Sequence, residues 1–84
     1  MPPKTEDFEK ALDGILIKYK NLGWDYKDVN AGELHKLVGF YPGPDNRMPT
    51  CCSVMRKRMG IRDKIIEQPA KGNGAALTIQ YWLV

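Results

Sequence analysis

Basic side chains are concentrated in one stretch of this sequence, residues 47–64. Six basic residues and one acidic residue give the stretch a net charge of +5; the basic ones are Arg47, Arg56, Lys57, Arg58, Arg62 and Lys64. Residues 1–46 sum to −2, and residues 65–84 are neutral. Lysine and arginine bind phosphate oxygens, and a clustered surplus of them is typical of surfaces that bind nucleic acid. The alternative is a charged helix face that meets only water.

His35, Cys51 and Cys52 are the other side chains that could do chemistry. Structural zinc sites take four ligands that usually arrive as spaced pairs, and two adjacent cysteines with one histidine do not form such a set. The same residues with Asp28 or Glu33 suggest a catalytic group, but no oxyanion or glycine-rich phosphate motif accompanies them. Adjacent helical cysteines cannot easily bridge each other. We therefore predict buried, reduced cysteines, no metal, no cofactor, no small-molecule substrate and no enzymatic activity.

The length of 84 residues fits one small domain, which we expect to span residues 1–84 with residues 1–4 as a flexible tail. No apolar run approaches the roughly 18 residues that a membrane-spanning helix requires. The first residues also lack the apolar region of a signal peptide. Together with the reduced cysteines, these features predict a cytoplasmic protein that does not bind membranes.

The first segment of the chain predicts a helix of about four turns. Thr5 is the expected N-cap, and acidic residues follow in the first turn, where the helix dipole favours negative charge. Apolar residues then recur at helical spacing and form one stripe: Phe8, Ala11, Leu12, Ile15, Leu16 and Tyr19. After this helix, residues 24–29 predict a short strand or an extended connector.

A second helix is predicted after residue 30. Asn30 and Glu33 have the spacing of a capping box, and Gly39 is a natural end for the helix. The residues expected to point inward from it are Leu34, Leu37 and Val38.

A loop rich in proline and glycine at residues 40–46 precedes a third predicted helix at residues 49–59. On a wheel of 3.6 residues per turn, one face is apolar and is expected to join the core: Met48, Cys51, Cys52, Met55 and Met59. Thr50, Ser53 and Lys57 face the opposite way. The remaining residues form the flanks, with Pro49 and Arg56 on one side and Val54 and Arg58 on the other.

The last part of the chain predicts a β-hairpin. Residues 63–68 and 76–84 have strand character, with the inward positions of the second strand at Leu77, Ile79, Tyr81 and Leu83. Residues 69–74 form its flexible tip.

The order of these elements resembles a winged helix-turn-helix domain over nearly the whole chain, and residues 31–59 resemble small winged-helix modules of bacterial or phage type. The resemblance implies an α+β fold, a three-helix winged helix-turn-helix with a C-terminal β-hairpin wing. Residues 31–38 would be the supporting helix, residues 49–59 the recognition helix in the DNA major groove, and residues 69–75 the wing tip. The connection at residues 39–47 departs from the pattern, because a compact helix-turn-helix uses about 3–4 residues there.

The resemblance and the charge cluster predict a DNA-binding module, either a transcriptional regulator or the DNA-binding part of a larger system. Its partner would be double-stranded DNA. The expected contacts come from nine residues of the third helix and the hairpin: Arg47, Thr50, Ser53, Arg56, Lys57, Arg58, Lys64, Lys71 and Asn73. The alternative is a protein–protein interaction module on the same scaffold, using the 40–46 loop and the hairpin. Phe40 and Tyr41 could dock a partner there or fold back onto the core.

Overall fold

The computed structural model describes residues 2–39, 41–43, 46–70 and 72–84. These residues form an α+β fold, as predicted. In chain order the elements are α1 (Thr5–Asn21), β1 (Tyr26–Asn30), α2 (Ala31–Val38), α3 (Met48–Lys57), β2 (Lys64–Glu67) and β3 (Thr78–Trp82). The three strands make an antiparallel sheet in the order β1-β3-β2. None of the helices in the described part of the chain combines the length and the apolar character needed to cross a membrane.

Helix α1 covers the core with the apolar stripe that the sequence predicts. Phe8, Leu12 and Leu16 are buried, and the other three stripe residues are half-buried against them. The prediction of Thr5 as N-cap is wrong by one residue. Lys4 is the N-cap, and its backbone N–H donates to the Asp7 carboxylate at 2.8 Å. An acid at the third helical position can reach back to the cap in this way, whatever side chain the cap itself carries.

Helix α2 begins directly from strand β1, because Asn30 ends the strand and caps the helix. The Asn30 side-chain oxygen accepts the Glu33 backbone N–H at 3.1 Å, which confirms Asn30 as the cap and one half of the predicted capping box. Its side-chain amide donates to Thr78 on β3, also at 3.1 Å. One side chain therefore fixes the start of the helix against the sheet.

The prediction that Leu37 points inward is wrong, since its side chain is 63% exposed. Helix α2 buries Leu34 and also His35, which is one position further round the helix. At 100° per residue, the buried face is therefore centred between these two residues. Leu37 lies outside that face, while Val38 stays within it and is half-buried.

Helix α3 buries the predicted apolar face and one residue more. Met48, Cys51, Cys52 and Met55 are buried, and Met59 is half-buried after the end of the helix. Val54 was expected on a flank but is only 5% exposed. It lines the cleft between α3 and α1, so the packing of α1 widens the apolar face of α3 by one position.

The sheet packs one face on the helices and leaves the other open. The predicted alternation in the last strand is confirmed, with its inward residues buried: Leu77, Ile79, Tyr81 and Leu83. The Tyr81 hydroxyl donates to the Met55 carbonyl at 2.7 Å, which joins sheet and α3 in the core. On the open face, Tyr26 and Trp82 are register partners with ring centroids 5.3 Å apart.

Candidate nucleic-acid interface

The outward face of α3 is a narrow polar strip between α1 and the hairpin. Ser53 and Lys57 are exposed, and Arg56 is half-buried on the hairpin side. Thr50 is half-buried and lines a depression of about 270 Å³ that includes Ser53, Lys57 and Thr5. Because residues three and four apart share one side of a helix, these hydroxyl and cationic groups face one solvent region.

The described residues of the connection between β2 and β3 contact the helices. Its carbonyls cap the first turn of α2, where Ala31 N–H donates to Leu77 at 2.8 Å and Gly32 N–H to Ala75 at 3.1 Å. Helix N-termini leave such N–H groups without partners of their own. The hairpin therefore supplies part of the capping of α2.

The end of the hairpin is also fixed to α3. The Cys52 thiol donates to the Gly74 carbonyl at 3.5 Å. The Arg56 guanidinium donates from Nη1 to the Asn73 side-chain oxygen at 2.7 Å and from Nη2 to the Gly72 carbonyl. Two residues that the sequence assigned to separate contact elements, Arg56 and Asn73, are thus bonded to each other.

Acidic side chains of α1 border the strip on the other side. A cleft of about 440 Å³ between α1 and α3 is lined by Glu6, Glu9 and Asp13 on α1 and by Lys57 and Arg58 of the α3 segment. Arg58 Nε lies 3.1 Å from an Asp13 carboxylate oxygen, and both side chains are about half exposed, at 51% and 54%. Arg58 is therefore already paired with a carboxylate, and the positive potential of α3 weakens towards α1.

The other predicted contact residues lie further from the strip. Arg47 precedes α3, is exposed, and donates from its guanidinium to the Asn46 carbonyl at 3.0 Å. Lys64 lies on the open face of the sheet opposite Gln80. Lys71 falls outside the described residues. The structure thus brings together Thr50, Ser53, Arg56, Lys57 and Asn73, and it leaves Lys64 on a different surface.

His35 has a structural role that the sequence reasoning missed. Its side chain is fully buried. Nε2 accepts the Arg47 backbone N–H at 2.8 Å, and Nδ1 donates to the Gly39 carbonyl at 3.0 Å. These partners assign the tautomer, because a neutral imidazole has one donor and one acceptor. His35 therefore closes the long 39–47 connection and anchors the start of α3. The helical spacing of Leu34, Leu37 and Val38 gave no signal for it, because His35 lies outside the face that these three residues share.

Of the two aromatic residues at the start of the 40–46 loop, the structure describes Tyr41. Tyr41 is half-buried and packs on His35 with ring centroids 5.1 Å apart, so this side chain folds back onto the core. Phe40, Pro44 and Asp45 fall outside the described residues. Large exposed apolar side chains occur elsewhere, among them Trp24 and Leu37.

Cys51 and Cys52 are buried free thiols. Burial, and then the neighbouring Cys52, raise the pKa of Cys51 to about 12. Burial also raises the pKa of Cys52, partly opposed by a backbone hydrogen bond with Gly74 and then by the charge of Arg56. A thiol is nucleophilic and binds metals only as the thiolate, so both side chains are held in their unreactive form. Among the residues that the structure describes, no three His, Cys, Asp or Glu side chains are grouped so as to hold a metal ion.

Comparisons of the chain with models of protein families, with curated proteins and with solved structures found no match.

Proposed function

We propose that this chain is a DNA-binding domain of winged-helix type, in which α3 faces the major groove and the hairpin tip contacts the adjacent backbone. The observation that carries the proposal is the bonding of Arg56 to Asn73 and Gly72. This contact joins the outward face of α3 and the hairpin tip into one continuous surface. A continuous surface of this kind suits a groove-binding helix flanked by a wing.

Two further features support this proposal. The element order, with a hairpin after the third helix and β1 added to it as the third strand, agrees with the winged-helix arrangement. The strip also presents residue types that suit the role, since Lys57 and Arg56 bind phosphates and the Thr50 and Ser53 hydroxyls bind phosphates or base edges. The acids of α1 would repel a duplex on that side, so the DNA would extend from α3 towards the hairpin.

A titration of the labelled protein with a short random duplex, followed by NMR at about 50 mM and 200 mM salt, tests the proposal. We expect shifts at residues 50, 53, 56–57 and 72–74. The apparent affinity should fall with salt at a log–log slope of about −0.9 for each phosphate neutralised. Lys57→Glu should abolish the shifts without changing the circular dichroism spectrum. Lys36→Glu, at an exposed position of α2, is the matched control. Absence of shifts at low salt would disprove DNA binding.

A protein-interaction function is the second candidate, and one surface favours it. A groove of about 350 Å³ runs along β1 between α1 and α2, lined by Ile15, Tyr19 and Leu37 among others. Trp24 packs on Tyr19 at its end, with ring centroids 4.6 Å apart, and remains 48% exposed. Apolar side chains gathered in one exposed place mark interaction sites more often than scattered ones do. Binding there would show little salt dependence and would be lost in Leu37→Asp.

A further inference from the structure

Arg56 differs from Arg58 in the chemistry of its partners. The Arg56 guanidinium is held by an amide oxygen and a backbone carbonyl, both neutral. Arg58 is held by the Asp13 carboxylate. A neutral acceptor fixes the direction of a guanidinium without cancelling its charge, whereas a carboxylate does both. Of these two arginines, Arg56 is therefore the one that is oriented and still fully cationic.

The donors of Arg56 are not used up by the hairpin. A guanidinium carries five N–H groups in a rigid plane, and the contacts to Asn73 and Gly72 engage one N–H on each terminal nitrogen. These two contacts leave three of the five donors to other partners. Ser53 lies one helical turn before Arg56 on the same side of α3, and its side chain is exposed. A hydroxyl and the remaining guanidinium donors thus lie on one side of the helix.

We infer that Ser53 and Arg56 form a subsite for a phosphodiester group, and that the hairpin tip positions Arg56 in it. This inference rests on the proposed DNA-binding function and assigns one phosphate contact within it. Asn73 acts there as a positioning residue, through Arg56. Because the tip holds the guanidinium before the nucleic acid arrives, less side-chain freedom is lost on binding. The helix and the tip then bind the backbone as one preassembled unit.

The positioning role has a consequence that does not involve DNA. The Cys52 thiol lies under the hairpin and donates to Gly74, one residue after Asn73. Loosening the tip should therefore expose Cys52 to a thiol reagent. We expect Arg56→Lys and Asn73→Ala to raise the rate at which Cys52 is modified, with mass spectrometry separating it from Cys51. Arg58→Lys is the matched control and should leave the rate unchanged. Equal rates in all four proteins would overturn the positioning role.

A double-mutant cycle between Arg56→Lys and Asn73→Ala tests the phosphate subsite. Affinity for a short duplex is measured by fluorescence anisotropy at about 50 mM salt. We expect Asn73→Ala to weaken binding about five-fold in the wild-type background, the loss typical of one hydrogen bond. In the Arg56→Lys background it should have almost no effect, because lysine lacks the fork that Asn73 holds. Equal losses in both backgrounds would overturn positioning and make Asn73 an independent contact.

The two measurements separate failure of the inference from failure of the proposed function. If the wild-type protein does not bind the duplex, the proposed function and the phosphate subsite both fail, while the thiol rates still decide whether Arg56 holds the tip. If the wild-type protein binds and the cycle is additive, DNA binding stands and the positioning of Arg56 by Asn73 fails. Non-additive losses of duplex affinity, together with faster modification of Cys52, support both the phosphate subsite and the positioning role of Asn73.

Discussion

His35 and Arg47 are joined by a hydrogen bond of 2.8 Å from the Arg47 backbone N–H to the imidazole Nε2. The bond spans the whole connection between α2 and α3, and the second ring nitrogen binds Gly39 at the start of the same connection. One buried side chain thus holds both ends of a loop that is long for a helix-turn-helix. The position of α3, and with it the candidate interface, depends on this contact.

Replacing His35 should therefore cost stability and disturb the start of α3. His35→Ala leaves the Arg47 N–H without its partner and opens a cavity beside the Phe8 ring, whose centroid lies 5.0 Å away. We expect a loss of about 2–4 kcal/mol, measured by urea unfolding. Chemical shifts should change most at residues 39–47. The neighbouring substitution Lys36→Ala, at an exposed position, should change stability by less than about 0.5 kcal/mol. Similar stabilities for the two variants would contradict the anchoring role.

Leu34 and Leu37 provide a matched test of the packing of α2. Leu34 is 1% exposed and Leu37 is 63% exposed. Leu34→Ala should lower the free energy of unfolding by about 2–5 kcal/mol because it leaves a cavity, whereas Leu37→Ala should lower it by less than about 0.5 kcal/mol. Thermal or urea unfolding checks both. A large loss from Leu37→Ala would mean that its side chain is covered in solution.

Removing the Asp13 carboxylate should strengthen DNA binding if the proposed function is correct. Asp13→Asn releases Arg58 from its ion pair and removes a negative charge beside α3. We expect affinity for a short duplex to rise roughly two- to five-fold, with a steeper salt dependence. Stability should change by less than about 1 kcal/mol, because the pair is exposed. Asp28→Asn, which makes the same charge change on the sheet, is the control. Equal gains from both variants would point to net charge alone.

The protein should lose stability at alkaline pH through its buried thiols and Tyr81. Burial raises the pKa of Cys51 to about 12, and burial followed by the charge of Asp63 raises the pKa of Tyr81. Unfolded cysteine and tyrosine titrate at about 8.5 and 10. The unfolded state therefore releases these protons at a lower pH than the folded state does. The stability that the buried, protonated groups contribute is fully present below the unfolded pKa values, and it is lost as the pH rises above them. Urea midpoints should fall between about pH 8 and pH 11.

Tyr81→Phe is the variant that checks this assignment. It removes one titrating group and should reduce the decline of stability with pH, although the lost bond to the Met55 carbonyl lowers stability at every pH. A midpoint that stays constant up to about pH 11 would contradict the role of these groups.

Local signals in the sequence determined most of the secondary structure. The apolar stripe of α1, the Asn30 cap of α2 and the alternation around Tyr81 each depend on residues a few positions apart, and each is found as predicted. The burial of both cysteines followed in the same way from the wheel of α3. Periodicity was sufficient there because one face of each element had to meet a single core.

Only the tertiary structure decided which polar residues are bonded to one another. The inward turn of His35, the pairing of Arg58 with Asp13 across 45 positions and the hold of the hairpin tip on Arg56 all join distant segments. Helical spacing shows which residues share a face, but it does not show what packs beside that face. For this reason the sequence could place a basic strip on α3, while the partners that leave Arg56 cationic and neutralise Arg58 come from the packing of α1 and the hairpin on either side of it.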